Sequence, residues 1–325
     1  MANAKRGVQK VAKGAKNIAK KGIDGIDVEA IKEKAENVKD LAAEKKDELE
    51  KKLKELDIQL EKAIDAYNEE YARMNDEGLS LYIQRTRAVD VIDNVSELVG
   101  SIANSPKSFD SDFEEINKNK LVFKGAEEFA ERELKEARKA ASGAGAGLAA
   151  GAAVMSAAPT AAMWIATTFG TASTGTAIST LSGAAATKAA LAWLGGGAIS
   201  AGGGGVAAGE ALLALAGPVG IGIAGASLLA SIVLFSRKRI LNNKEKNKEI
   251  ESVKKNTAAL KETTEKIHTI NAKTITLRDE LMKQYSDNLR LFGADYASLD
   301  DDDKMRLGTM VNNTKALSAL FGETV

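Results

Sequence analysis

The feature that most limits how this chain can fold is a long interior stretch with almost no charge. Residues 140–236 carry only two charged side chains, Lys188 and Glu210, and consist mostly of Gly, Ala, Ser, Thr and Leu. Segments rich in Lys and Glu stand on both sides of it. Because such a stretch offers little polar surface to water, either protein or lipid must cover it. The sequence therefore predicts an uncharged middle between two charged arms.

The composition and the periodicity of the arms favour helices. The chain has only 3 Pro, 2 Trp, 5 Tyr and 8 Phe among 325 residues, so long helices are permitted and a large aromatic core is not. Apolar residues recur at steps of three and four in both arms, and Gly78 is expected to interrupt or kink the first. The first stripe is Leu49, Leu53, Leu56, Leu60, Ile64, Tyr67, Tyr71 and Met74, and the second is Ile250, Val253, Leu260, Ile267, Ile270, Leu277, Leu281, Tyr285 and Leu289.

The two stripes stand on opposite sides of the uncharged middle, and pairing them would bury both. An antiparallel hairpin of the arms is the expected arrangement, since the chain reverses between them. We therefore predict an all-α fold: an elongated antiparallel coiled-coil helical bundle that carries a Gly/Ala-rich apolar helical hairpin.

Changes in charge and periodicity divide the chain into five segments. Pro106 marks a break inside the first arm, since proline disfavours a helical conformation in the residue before it. Ser111 followed by Glu114 matches a capping box and predicts that the next helix begins there. Ser298 is the expected N-cap of a closing helix with aspartates in its first turn. The segments are 1–25, a cationic N-terminal segment; 26–139, the first arm; 140–236, the apolar region; 237–297, the returning arm; and 298–325, the C-terminal helix.

The cationic N-terminal segment has two interpretations. Residues 1–23 contain seven basic residues and no acidic one, with a thin apolar stripe at helical spacing. Such a segment either lies on an anionic membrane surface or is a frayed basic tail. Its lysines interrupt any apolar core of a secretory signal, so we expect no classical signal-driven export.

Two parts of the uncharged region are candidates to cross a bilayer. The segment from Ala211 to Ser236, which includes Leu228 and Phe235, is long enough for a hydrocarbon core of about 30 Å. The segment from Ala140 to Phe169 is less apolar, but its four-residue glycine spacing would let helices approach closely in lipid. Residues 170–210 would add two further spans or a re-entrant loop. The regularly spaced glycines are Gly143, Gly147 and Gly151.

Basic residues flank both ends of this region and bear on its topology. They would stay on the cytoplasmic side, so an even number of crossings would keep both arms there. Trp164 and Trp193 suit either a membrane interface or a packed core, and Pro218 is either a hinge or a simple helix break. The flanking residues are Arg138, Lys139, Arg237, Lys238 and Arg239.

Insertion of this region is predicted to be conditional. Ala and Gly contribute little transfer free energy, so constitutive anchoring does not follow from the composition. One alternative is a hairpin that packs against the arms in water and is released into a bilayer. The other is a tightly packed helical hairpin that never enters lipid.

Enzyme and nucleic-acid functions find little support in the residues. Gly220, Gly222 and Gly225 match GxGxxG, yet no βαβ pattern surrounds them. His268, the single histidine, has no evident catalytic partner, and the lack of cysteine excludes thiolate chemistry. The 45 basic and 45 acidic residues leave no basic excess for nucleic acid. We expect no catalytic residue, cofactor, metal or small-molecule substrate.

The arrangement of arms and uncharged middle resembles that of α-helical pore-forming toxins of the cytolysin A and haemolysin BL type. Over Gly143 to Phe235 it also resembles apolipoprotein L and bacterial glycine-zipper membrane proteins. The resemblance is architectural and compositional. It implies membrane insertion and, for the toxins, oligomerisation into a pore, and it carries no catalytic residue.

These observations lead to two functional hypotheses. The first is a non-enzymatic, membrane-inserting and pore-forming helical protein of toxin or defence-effector type, whose partners are a lipid bilayer and further copies of the chain. The second is a coiled-coil scaffold, membrane-anchored or soluble, that binds a helical protein. We expect a membrane-associated protein whose arms are cytoplasmic if insertion is constitutive, with a secreted soluble form as the other option.

Overall fold

A computed structural model of the chain describes residues 28–143, 157–196, 205–207, 209–210 and 243–323. These residues are predominantly helical and include no β-strand, which confirms the predicted all-α class. The longer helices are α1 (Val28–Gly100), α2 (Lys107–Gly143), α3 (Ala157–Phe169), α4 (Gly183–Leu194), α5 (Asn243–Asn288) and α6 (Asp301–Ala319). Short 3₁₀ turns occupy Ile178–Thr180, Leu289–Leu291, Tyr296–Ser298 and Leu320–Gly322.

The described residues fall into two compact units. The first holds α1 up to residue 61 together with the start of α5, up to residue 247. Within it, Lys246 of α5 forms an ion pair with Asp57 of α1. The second unit holds the rest of α1 and α5 and all of the other helices. The packed core described below belongs to this second unit.

In the second unit, α1 and α5 run in the same direction. Polar side-chain contacts join the two helices at successive levels, and the residue numbers rise together on both. The pairs are Arg73 with Glu265 at 2.9 Å, Glu77 with His268 at 2.8 Å, Ser80 with Asn271 at 2.9 Å, and Gln84 with Arg278. The predicted antiparallel pairing of the two arms is therefore wrong for these parts of the helices.

The reason is that α2 already forms the antiparallel partner of α1. Tyr82 of α1 donates to Glu127 of α2 at 2.5 Å, and Asp93 pairs with Lys120, so residue numbers fall on one helix as they rise on the other. A short connection places consecutive helices side by side and antiparallel. The chain thus reverses within the first arm, before the uncharged region begins.

The connection between α1 and α2 lies where the sequence predicted a break, but α2 begins earlier than expected. The helix starts at Lys107, directly after Pro106, and the Phe109 N–H donates to the Pro106 carbonyl at 2.9 Å. Ser111 therefore lies inside the helix, and the predicted capping box there is wrong. The rigid ring of Pro106 is well suited to precede a helix, because proline needs no backbone N–H partner.

The closing helix α6 exists as predicted, with a different cap. Asp300 is the N-cap, and its carboxylate accepts a hydrogen bond from the Asp303 N–H at 2.8 Å. Ser298 instead belongs to a 3₁₀ turn and donates its hydroxyl to the Asp295 carbonyl at 2.7 Å. A carboxylate next to the positive end of the helix dipole stabilises this start more than a hydroxyl would.

Candidate functional site

The described part of the uncharged region that lies deepest in the protein is α3. It contains no charged residue, and six successive residues from Ala161 to Ala166 are at most 1% exposed. Six residues make more than one full turn of a helix, at about 3.6 residues per turn, so side chains on every side are covered. α3 packs against α2 and α4 and is enclosed by protein.

α1 approaches α3 closely at Gly78. A Cβ atom at residue 78 would lie 2.7 Å from both Cδ1 and Cγ1 of Ile165, well inside van der Waals contact. The missing side chain of Gly78 therefore makes room for Ile165. α1 continues through this position as one helix, so the expected interruption at Gly78 is absent. This glycine serves close helix packing instead.

Trp164 is the centre of an aromatic cluster around α3. Its ring lies 5.4 Å from Tyr82 of α1, 5.8 Å from Phe123 of α2 and 5.5 Å from Phe169, all measured between centroids. The side chain is fully buried, and its Nε1–H has no hydrogen-bond partner among the described residues. In this structure Trp164 therefore occupies the packed core, one of the two positions that the sequence left open.

A buried cation stands beside this cluster. Arg85 of α1 is 1% exposed, and its guanidinium carbon lies 5.5 Å from the centre of the Trp164 ring. Its Nη2 donates to the Leu320 carbonyl at 2.5 Å and to the Glu323 carbonyl at 2.9 Å. Burial lowers the pKa of Arg85 to about 10, which still leaves the group charged at neutral pH. A positive charge thus lies between α3 and the turn that follows α6.

Arg85 was not among the residues singled out from the sequence, although a signal existed. It falls in the helical row Leu81, Arg85, Ala88 and Ile92, whose other members are all buried. A single cation within an apolar row has to find acceptors in the interior, because an unpaired buried charge is costly. The sequence gives no indication that those acceptors are main-chain carbonyls more than two hundred residues away.

The second described helix of the uncharged region, α4, is held by a tyrosine of α1. The Tyr71 hydroxyl donates to the Leu194 carbonyl at the end of α4, at 2.5 Å, and Tyr71 is 1% exposed. Burial raises the pKa of Tyr71 well above its usual range, and it raises that of neighbouring Tyr67 to about 12. Trp193 is half-buried, with its ring 6.4 Å from Tyr71. Both tryptophans therefore pack against α1.

Most of the other predicted membrane residues lie outside the described part of the chain. Gly143 is the last residue of α2, and Arg138 and Lys139 belong to the same helix, where Lys139 pairs with Glu136 at 2.7 Å. The residues outside the described ranges are Gly147, Gly151, Pro218, Leu228, Phe235, Arg237, Lys238 and Arg239.

A helix needs about 20 consecutive apolar residues to cross a bilayer. None of the described helices combines sufficient length with sufficient apolar character to span a membrane. α3, with 13 residues, extends for about 20 Å at about 1.5 Å per residue, against a hydrocarbon core of about 30 Å. The longer candidate from Ala140 to Phe169 is described only at its two ends, and the candidate from Ala211 to Ser236 is not described.

One concave surface of the second unit lies between α1 and α5 and contains His268. It is an open groove of about 670 Å³, lined by Asp76, Glu77 and Asn271 among others, with His268 Nδ1 2.8 Å from Glu77 Oε1. Burial and the neighbouring Glu77 raise the pKa of Asp76. No group of three or more ligating side chains in the described ranges is arranged to hold a metal ion. Ser80, which also lines the groove, accepts a hydrogen bond from the Asn271 amide at 2.9 Å.

Comparison with known proteins gives no match to a protein-family model, a curated protein or a solved structure. The candidate site is therefore defined by its own geometry: an uncharged helix enclosed by the apolar faces of amphipathic helices, beside one buried arginine.

Proposed function

We propose that this protein is a non-enzymatic membrane-inserting protein that stores part of its uncharged region inside a helical bundle and releases it into a bilayer. The observation that supports this proposal most is the burial of α3 from Ala161 to Thr167, in a helix whose 13 residues carry no charge. A helix that is apolar on all sides is suited either to a protein core or to a membrane. The proposal is that this helix uses both environments.

A bilayer could accept α3 without the penalty that water would impose. Each of Met163, Trp164 and Ile165 is fully buried, and exposing such a side chain to water costs about 1.5–3 kcal/mol. Transfer from a protein core to lipid hydrocarbon largely retains this free energy. In the inserted state α3 would form part of the proposed span from Ala140 to Phe169, since α3 alone is too short.

The arms have a second role in this proposal. They form an elongated coiled coil that brings several copies together, and the inserted segments of those copies line a pore. The exposed part of the α1 stripe supports this step, because Leu49 is 46% exposed whereas Leu60 further along is 6% exposed. Both lie in the first unit, where the described residues leave Leu49 exposed for a partner helix to cover.

Dye release from liposomes, together with flotation of the liposomes, tests the membrane function. We expect the full chain to float with the vesicles and to release dye. Gly147→Glu and Ile223→Glu should abolish both, because a charge in a membrane segment opposes insertion by about 2.5–3.5 kcal/mol. Gly125→Glu is the matched control, since residue 125 faces open solvent on α2 and the bundle can accept a charge there.

The outcomes separate the hypotheses. Absence of both flotation and leakage across lipid compositions and pH values would contradict membrane insertion. Flotation without leakage would leave an anchored scaffold that forms no pore. Leakage that persists in both charged variants would mean that these segments are not the inserting ones.

The alternative function is a scaffold that binds a helical partner or a second copy through the α1 stripe. The exposed stripe residue Leu49, at 46%, favours it, and so does Leu41 earlier in α1, at 54%. The chain has no cysteine, so Leu49→Cys introduces a single thiol. A disulfide between two copies at this position, absent for Lys51→Cys on another face, would place two α1 helices side by side there. A scaffold should keep this pairing in Gly147→Glu and Ile223→Glu.

A further inference from the structure

The turn that follows α6 closes over the region in which α3 is buried. Residues Leu320–Gly322 form a 3₁₀ turn, and both Leu320 and Phe321 are buried, at 6% and 2% exposure. The Phe321 ring stacks on Phe123 of α2 with 5.5 Å between centroids, and Phe123 in turn contacts Trp164 of α3. A continuous row of aromatic contacts therefore joins the carboxyl-terminal turn to α3.

We propose that residues Leu320–Glu323 form a latch that keeps α3 inside the bundle, with Arg85 as the anchor of the latch. The latch is an autoinhibitory contact: while it is closed α3 stays buried, and when it opens α3 can leave. Its effect on membranes rests on the proposed function, whereas its effect on the burial of α3 does not.

Arg85 makes the latch an all-or-none contact. The acceptors of its Nη2 are the Leu320 and Glu323 carbonyls, which converge on one nitrogen only while the turn is formed. Arg85 Nε already has no partner among the described residues. If the turn moved away while the guanidinium stayed buried, the charge would be out of water and would lack these two acceptors. An unpaired buried charge of this kind is strongly unfavourable. The guanidinium would then have to move toward water, away from the face of Trp164.

The latch can open without dismantling α6. Gly322 and Glu323 are exposed, so water reaches the outer side of the turn. α6 is held separately by buried residues along its own length, among them Leu307, Met310 and Leu317. Its N-terminus is also held separately, by the cap at Asp300. Loss of the turn should therefore affect the surroundings of Arg85 and Trp164 first.

Hydrogen exchange of α3, followed by mass spectrometry in lipid-free solution, tests the latch. We compare the full chain with a chain that ends at Ala319, and with the single substitution Arg85→Lys, whose ammonium cannot reproduce the planar geometry of a guanidinium. Leu121→Ala is the matched control, because Leu121 lies on the solvent side of α2, at 65% exposure, and takes no part in the latch.

The expected result is local. Amide exchange in residues 157–169 should become at least about tenfold faster in the truncated chain and clearly faster in Arg85→Lys, because protection falls as local opening becomes easier. Protection of residues 301–310 should stay unchanged, and Leu121→Ala should behave as the full chain. Unchanged exchange of α3 in both altered chains would overturn the proposal, and so would an equal loss of protection in every helix.

Dye release then separates the latch from the membrane function. Faster release by the truncated chain and by Arg85→Lys, with faster exchange of α3, supports both. Faster exchange of α3 without dye release or flotation in any chain supports the latch and contradicts the proposed membrane function. Dye release that does not differ between the chains, with unchanged exchange of α3, contradicts the latch alone.

Discussion

The contact between Gly78 and Ile165 predicts that Gly78→Ala destabilises the full chain but stabilises a chain that lacks the Ile165 side chain. Gly78→Ala removes a glycine from the interior of α1, which by helix propensity alone should stabilise the protein by about 1 kcal/mol. The new Cβ would lie 2.7 Å from two carbon atoms of Ile165, and overpacking of this kind costs about 1–3 kcal/mol. We therefore expect Gly78→Ala to destabilise the full chain by about 0–2 kcal/mol.

The same substitution should stabilise a chain that lacks the Ile165 side chain. Ile165→Ala alone should cost about 2–5 kcal/mol, because the residue is fully buried and its removal leaves a cavity. In that background the Cβ of Gly78→Ala meets no clash, partly fills the cavity and keeps its helix propensity, so about 1 kcal/mol or more is regained. The two substitutions are thus coupled by about 1–3 kcal/mol.

Urea unfolding followed by tryptophan fluorescence measures these changes, since Trp164 and Trp193 both lie in the second unit. Gly125→Ala is the control, because a Cβ at residue 125 of α2 meets no atom within 4 Å. It should stabilise the chain by about 1 kcal/mol in either background. The reasoning is refuted if Gly78→Ala stabilises the full chain as much as Gly125→Ala does.

Three further predictions concern caps, a buried hydroxyl and acid stability. Asp300→Ala should lower the free energy of unfolding by about 1 kcal/mol, whereas Ser298→Ala should change it little, and comparable losses in urea titrations would contradict the assignment of the cap. Tyr71→Phe should cost about 1–3 kcal/mol in the same assay, because it leaves a buried carbonyl at the end of α4 without its donor, and a neutral result would argue against that hydrogen bond. Hydrogen bonding by Arg290 lowers the pKa of Asp303, so this carboxylate stabilises the fold above about pH 4, and the contribution is lost as pH falls through the lowered value. Asp303→Asn should therefore flatten the acid limb of a plot of stability against pH, and an unchanged limb would show that the pair contributes nothing.

Periodicity located the helices and much of their buried faces. Of the first predicted stripe, Leu60, Tyr71 and Met74 are at most 6% exposed, and the break before Pro106 is where the sequence placed it. Local patterns predict these features well, because spacing along a helix decides which side chains share a face. The two caps were wrong because Ser111 and Ser298 satisfy local capping patterns that compete with stronger neighbours, Pro106 and Asp300.

The sequence predicted the type of the candidate site, an uncharged helix that needs a cover, but it did not predict which residues surround that helix. The lack of charge in residues 140–236 predicted a cover of protein or lipid, which α3 has in this structure, whereas most of residues 171–185 are exposed. Neither the partners of Trp164 nor the role of Arg85 could be derived from spacing, since they join residues from α1, α2, α3 and the turn after α6. Gly78 was given the wrong role for the same reason, because the atom that needs its space belongs to Ile165.

The sequence by itself determined that the chain is helical, which faces of its arms are apolar, and that most of its uncharged middle favours a cover of protein or lipid, although residues 171–185 are largely exposed. These properties follow from local geometry and from transfer free energies, which depend on residue type and spacing. Only the tertiary structure decided that α1 and α5 run parallel, that α2 is the antiparallel partner of α1, and that α3 lies beside a buried arginine held by the turn after α6. Direction and partner choice depend on how all of the apolar faces can be buried at once, and no local pattern contains that information.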